Sequence, residues 1–407
     1  MICLISNRIH QIQLSATLAA TQKTRELKEA GIDVISLTVG EPDFDTPAYI
    51  LDAANQAMYE GKGHHYTASA GISELREAIS TYHKSYDDID YRPDQIFVSA
   101  GAKLVLYYLF QSLINEGDEV LVPTPYWVSY SEQIKLAGGV PVFIETRIDD
   151  DFAVTEELLE RYTTKKTKLL ILNSPSNPSG VVFNKEQLTT IGNFCVKHNI
   201  FIISDEIYNR LVFNGATSPS MASLSEAIKK QTIVVNGMSK AFAMTGWRMG
   251  YAMADTTIIQ ALDKIASQTS GNPAGISQYA ALAALANATD FLKYNQALFE
   301  DRLNHAYPLV ASLEGFKLHA KPQGAFYLFP DCKEASKLTG YDNVDDFVMA
   351  LLEEAHVGLV AGSGFGMPNH VRFSYATSEE TFHAGVRRIA EFIEKKKISH
   401  KESHQEV

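Results

Sequence analysis

Seven short apolar runs mark the middle of the chain, at 95–98 (QIFV), 119–122 (EVLV), 140–144 (VPVFI), 168–172 (KLLIL), 200–204 (IFIIS), 231–235 (QTIVV) and 249–253 (MGYAM). Each is nearly unbroken in apolar character and ends in turn-forming residues, the pattern of strands buried on both faces. Amphipathic stretches such as 102–115 and 185–198 lie between most of them. Strands alternating with helices predict an α/β fold, a mostly parallel seven-stranded sheet covered by helices.

After about residue 290 the rhythm changes. A long helical pattern at 290–314 leads to GAFYLF at 324–329, a helix near 343–355, VRFSYA at 371–376 and a closing helix near 378–395. This predicts a smaller α+β domain over 291–395, following a large domain over 46–290. The tail at 396–407 is charged and without periodicity, and is expected to be disordered.

Composition narrows the classes of function. A length of 407 residues allows about two cores. The formal charge of −12 argues against nucleic acid or an anionic membrane as a partner. Cys3, Cys195 and Cys332 are scattered and lack metal-ligand spacing, which suits a reducing cytoplasm and suggests no metal site. The opening MICLISNRIHQ is too short in its apolar stretch for a signal-peptide core. No stretch approaches the ~20 apolar residues of a membrane helix. A cytoplasmic enzyme is the expectation.

In open α/β sheets the ligand crevice lies beyond the carboxyl ends of the strands, and three strand ends carry unusual residues. LLILNSPSNPSG places Asn173 and Asn177 after a buried strand. IFIISDEIY ends in Asp205, with Tyr208 close behind. QTIVVNGMSKAFAMTGWRMG delivers Lys240 just past a third strand, then Arg248. Taken singly, Asp205 reads as a helix cap or a structural ion pair, Lys240 as a surface lysine and Tyr208 as core. Converging on one crevice, they match the needs of pyridoxal phosphate. That cofactor takes a lysine for covalent attachment, an acidic partner for its pyridinium nitrogen, donors near its phenolate oxygen and a cationic or amide-lined phosphate site.

GMSKAFAMTGWRMG at 237–250 carries the whole lysine-attachment pattern of class I aminotransferases of fold type I, which the chain therefore resembles. SPSNPSG at 174–180 resembles that family's SPxNPTG element, with Ser179 in place of threonine, and SDEIY at 204–208 its aspartate–tyrosine element. The likeness extends to VGEPDFDTP at 39–47, HYTASAGISELREAI at 65–79, PYWVSY at 125–130 and RFSYATSEE at 372–380, so it covers nearly the whole chain. It is strongest to the bacterial aspartate and aspartate/prephenate branch.

The resemblance implies roles residue by residue. Lys240 would carry the cofactor covalently and then move a proton, Asp205 would pair with the pyridinium, and Asn177 and Tyr208 would hold the phenolate. Trp127 would stack on the ring. Arg248 and the backbone amides of Gly101, Ala102 and Lys103, at a predicted helix start, would cradle the phosphate. Tyr66 would reach the phosphate of a neighbouring subunit, implying a homodimer with shared sites. Arg372 would grip the substrate α-carboxylate, assisted by Asn177 and the Gly40 backbone. Residues 1–45 would pack with the small domain.

The implied reaction is ping-pong transfer of the amino group of L-aspartate to 2-oxoglutarate, with prephenate as a further acceptor. Other branches read the distal carboxylate with an arginine in the segment before the small domain. SQTSGNPAG at 267–275 has no basic residue, so Lys103, with Thr17, becomes the candidate. The rivals are an aromatic or alanine aminotransferase or a cysteine-conjugate β-lyase on the same scaffold, and a cofactor-binding regulator, for which a basic N-terminal extension is missing. GSGFG at 362–366 lacks the GK[ST] of a nucleotide loop, the adjacent His64 and His65 lack further ligands, and YYLF at 107–110 reads as helix core.

Overall fold

Each of the seven apolar runs becomes a strand in the computed structural model, which describes residues 5–405. They are β1 (Ile96–Ser99), β2 (Glu119–Pro123), β3 (Val140–Ile144), β4 (Thr167–Asn173), β5 (Phe201–Asp205), β6 (Thr232–Gly237) and β7 (Gly250–Met253). They form one sheet in the order β1-β7-β6-β5-β4-β2-β3. Only β7 runs antiparallel to its neighbours. Every residue of β1, β6 and β7 is buried, because helices cover both faces and leave no side of these strands for polar residues. Cys3 lies outside the described residues, and Cys195 and Cys332 are buried free thiols.

Parallel pairing sets the site. β4, β5 and β6 point the same way, so their carboxyl ends open on one edge. Asn173 pairs in register with Asp205, and Asp205 with Val235.

The smaller α+β domain follows. A long helix, α4 (Ala288–Ala311), leads to an antiparallel three-stranded sheet of Tyr327–Leu328 (β8), Val360–Ala361 (β9) and Val371–Ser374 (β10). Three helices that matter below are α1 (Ala16–Glu29), α2 (Ala102–Leu113) and α3 (Ser129–Leu136). Ile35–Ser36 pairs in parallel with Val357–Gly358, which joins the N-terminal segment to the C-terminal domain. The last helix runs from Glu379 to Gln405, so it does not stop at 395, and most of the expected tail continues it. Charge without periodicity does not forbid a helix whose first turns are already anchored by packing. Tyr108, Leu109 and Phe110 are core, GSGFG forms a short 3-10 turn at Gly362–Phe365, and His64 and His65 are exposed.

One buried ionic cluster ties the chain after β5 to the helix Ser73–Asp87. Arg210 donates to both oxygens of Asp87, at 2.8 and 2.5 Å, and to the Tyr82 hydroxyl at 2.8 Å. His83 reaches the same carboxylate at 2.6 Å. Removing one partner from such a buried pair leaves an uncompensated charge. Asp87→Ala should therefore destabilise the protein by about 3–5 kcal/mol, read as the midpoint of urea unfolding. A loss below about 1 kcal/mol, the ordinary value of an exposed pair, would contradict this reading.

Candidate active site

At the carboxyl ends of β4–β6 lies a cleft of about 400 Å³. It is lined by Thr17, Gly40, Ala102, Lys103, Trp127, Asn177, Asp205, Tyr208, Lys240, Arg248 and Arg372. These come from every part of the chain: α1, the loop after residue 36, the start of α2, three strand ends and β10. Of the remaining expected site residues, Gly101 stands directly behind Arg248. Tyr66 stands apart from the cleft lining and is 99% exposed.

Lys240 follows β6. Its amine donates to the Gly40 carbonyl at 2.5 Å. Its backbone is clamped by the fully buried Asn295 of α4, whose amide nitrogen donates to the carbonyls of Lys240 and Ala241 at 3.2 and 2.9 Å. Loss of hydration pulls the amine down to about 8. Glu41 acts against that shift, Arg248 and Arg372 add to it, and Asp205 resists it. The result is an amine that loses its proton well below the ordinary lysine value.

Asp205 ends β5 in full burial, and burial pushes its carboxyl up to about 6. Its Oδ2 accepts from Tyr130 at 2.6 Å, and its Oδ1 from the Ile207 amide at 3.3 Å. Asn173 holds the strand end, donating to the Asp205 carbonyl at 2.9 Å and accepting from the Asn177 amide at 2.8 Å. Tyr208 shares a hydrogen bond with Tyr327, oxygen to oxygen at 2.9 Å.

Arg372 is 1% exposed. It donates to Asn177 Oδ1 at 3.0 Å and to the Thr38 carbonyl at 2.7 Å, with its guanidinium 4.5 Å from the Tyr327 ring centre. Because Arg372 occupies the Asn177 oxygen, the Asn177 amide nitrogen is left as the donor. A side chain at Gly40 would put its Cβ 2.9 Å from the Tyr327 hydroxyl.

The start of α2 forms an amide-lined corner. Gly101 has φ +90°, and a Cβ there would lie 2.3 Å from the Arg248 guanidinium. Arg248, exposed at the mouth, is pinned by donation to the Thr245 carbonyl at 2.7 Å. The α2 N-terminus adds unpaired N–H groups, an arrangement that favours an anion. Beside it, the Lys103 amine stands 4.9 Å from the Trp127 ring centre, and partial burial with nearby Arg248 lowers its pKa. The Thr17 hydroxyl is buried and has no hydrogen-bond partner among the described residues.

Tyr130, Tyr327, Asn295 and Glu41 were not singled out in the sequence. Tyr130 lies inside the PYWVSY motif and could have been found there. Asn295 sits in an ordinary helical pattern that carries no such signal.

Comparison with known proteins places these features in context. The chain matches the family model described as aminotransferase class I and II over residues 32–389. It is 48% identical to the aspartate aminotransferase of Bacillus subtilis, over 96% of this chain and 99% of that protein. It is 47% identical to the asparagine–oxo-acid transaminase of Streptococcus mutans, with the same coverage of each. The structure of Thermus thermophilus aspartate aminotransferase with maleate superposes with a TM-score of 0.91 at 38% identity, covering 96% of this chain and all of that one.

The depressed Lys240 pKa has a direct test on cofactor-free protein. Reductive methylation of Lys240, followed by mass spectrometry across pH, should show reactivity rising through about pH 8. Surface lysines should rise near their usual ~10.4. Titration of Lys240 together with the surface lysines would contradict the electrostatic description of the cleft.

Proposed function

The chain belongs to the class I and II aminotransferase family, and from that premise we propose that it transfers the amino group of L-aspartate to 2-oxoglutarate in a ping-pong cycle, with prephenate as a further acceptor. The observation that carries the dicarboxylic reading is the charge of the cleft. Within a chain of net charge −12, it gathers Lys103, Lys240, Arg248 and Arg372 against Glu41 and Asp205. A phosphate and two carboxylates would account for the three cations other than Lys240. The Thermus thermophilus structure carries maleate, itself a dicarboxylate.

Family membership implies pyridoxal phosphate as cofactor, and the residues fit it. The glycine at 101 leaves the corner open beside Arg248, and the cleft offers an amine of lowered pKa, a buried carboxylate and two phenolate donors. When bound, the cofactor supplies an electron sink for the pair left at the substrate Cα. In this reading Lys240 would hold it covalently and would move the proton at the substrate Cα, a task suited to an amine whose pKa is brought down toward neutrality. Asp205 pairs with the ring nitrogen, and Asn177 and Tyr208 donate to the phenolate oxygen. Trp127 covers the ring face. Arg248 and the Gly101, Ala102 and Lys103 amides hold the phosphate. Arg372, with Asn177 and the Gly40 backbone, fixes the α-carboxylate, and its anchoring to Asn177 and Thr38 keeps it aimed before substrate arrives. Lys103 and the unpartnered Thr17 hydroxyl read the distal carboxylate. We place residues 1–45 with the small domain, set the boundary between the large and small domains at 290, and assign the protein to the cytoplasm.

The Streptococcus mutans relative favours a second donor, asparagine, whose amide Lys103 would bind less strongly than a carboxylate. Lys103→Ala should lower kcat/KM for aspartate by roughly 10- to 100-fold, about 1.4–2.7 kcal/mol. Asparagine and neutral donors should lose much less, since Arg372 still holds the α-carboxylate. Equal losses for acidic and neutral donors would mean that Lys103 serves the cofactor or the fold. Oxo-acid production without an amino acceptor would favour the β-lyase rival.

The exposure of Tyr66 supports a homodimer in which this ring enters the partner's site. Tyr66→Phe and Lys240→Ala subunits should each have little activity, the first through weak cofactor retention. Mixed, they should form dimers holding one intact site, restoring up to about a quarter of wild-type activity at equal mixing, as random pairing gives half hetero-dimers with one site in two. No recovery on mixing, or a monomer by sedimentation, would contradict the shared site.

A further inference from the structure

The carboxylate of Asp205 has a side-chain partner beyond the groups assigned above. Tyr130, at the start of α3, is 2% exposed, and its hydroxyl donates to Asp205 Oδ2 at 2.6 Å. Its ring meets Trp127 edge to face at 5.5 Å, so the residue is fixed from the same turn that carries the stacking tryptophan. The other groups facing Asp205 are the Ile207 amide and Tyr208 on its own segment and Lys240 from the connection after β6. The Tyr208 hydroxyl is turned to Tyr327, which leaves Tyr130 as the side-chain donor to the carboxylate among the described residues.

We propose that Tyr130 is a positioning residue that keeps Asp205 ionised and aimed, and thereby keeps the proton on the cofactor's ring nitrogen. The proposal rests on the reading of Asp205 as the partner of that nitrogen. One proton is shared by the two groups, as carboxylate with pyridinium or as carboxylic acid with neutral pyridine. Burial favours the neutral pair, because it penalises charge on Asp205. A donor to Oδ2 stabilises the carboxylate and shifts the proton to nitrogen. A phenol suits the task. Its own pKa is raised by burial and by Asp205, so it remains a donor at every working pH. Unlike a cation, it adds no charge that would compete with the pyridinium for the carboxylate.

The test loads the enzyme with cofactor carrying 15N in the ring and reads the nitrogen shift, which reports protonation independently of turnover. Wild type should show a protonated nitrogen. Tyr130→Phe, equal in shape, should move the shift toward neutral pyridine, a change of about tenfold or more in the proton distribution. Asp205→Asn marks the limit. If Tyr130→Phe matches wild type while Asp205→Asn moves the shift, the role of Tyr130 is overturned and that of Asp205 stands. If Asp205→Asn leaves the shift unchanged, both fall. Should the Phe variant fail to retain cofactor, 3-fluorotyrosine at position 130, a stronger donor of nearly the same shape, must raise the pH at which the ring nitrogen loses its proton. No shift there would overturn the proposal.

Discussion

A carboxylate at the end of an apolar strand is the constraint to which the site is adjusted. Asp205 is buried on the central strand of the sheet, where an unpaired charge is strongly disfavoured. The neighbouring elements compensate for it: Tyr130 and the Ile207 amide donate to its oxygens, and Asn173 secures its backbone. The parallel register of β4, β5 and β6 makes this possible, since it brings Asn173 beside Asp205 and delivers Lys240 to the same edge. An antiparallel order would send alternate strand ends to opposite edges and scatter these groups.

The second constraint is long-range. The fully buried Arg372 lies near the C-terminal end of the chain, yet it bonds Asn177 and the Thr38 carbonyl, while Lys240 bonds the carbonyl of Gly40, two residues beyond Thr38. Asn295 adds a clamp from α4 on the Lys240 backbone. The C-terminal part of the chain therefore contributes Arg372 and the Asn295 clamp to the site's geometry. Any shift of that part relative to the sheet would change the aim of both the guanidinium and the lysine.

Much of this was legible in the sequence for a physical reason. Strands buried on both faces leave continuous apolar runs, so all seven were found within one or two residues at each end. A polar residue closing such a run stands out, which is why Asn173, Asp205 and Lys240 were visible. Tyr327 was not, because an aromatic residue in a buried strand looks like ordinary core until its hydroxyl partner is known, and Tyr130 was marked only by its place in PYWVSY. Asn295 was hidden by the same kind of ambiguity, one polar residue in a long amphipathic helix. The last helix continues past 395 to Gln405 because its earlier turns are held by packing, which the charged composition of 396–407 does not reveal.

The proposed attachment of the cofactor to Lys240, in the cleft built around Asp205, is open to direct measurement. Borohydride reduction of the cofactor-loaded protein, followed by peptide mapping, measures this directly. The cofactor's mass should be fixed to the peptide that contains Lys240 and to no other lysine, with no labelling in Lys240→Ala. Stoichiometric attachment at a different lysine, or equal labelling of the Lys240→Ala variant, would contradict it.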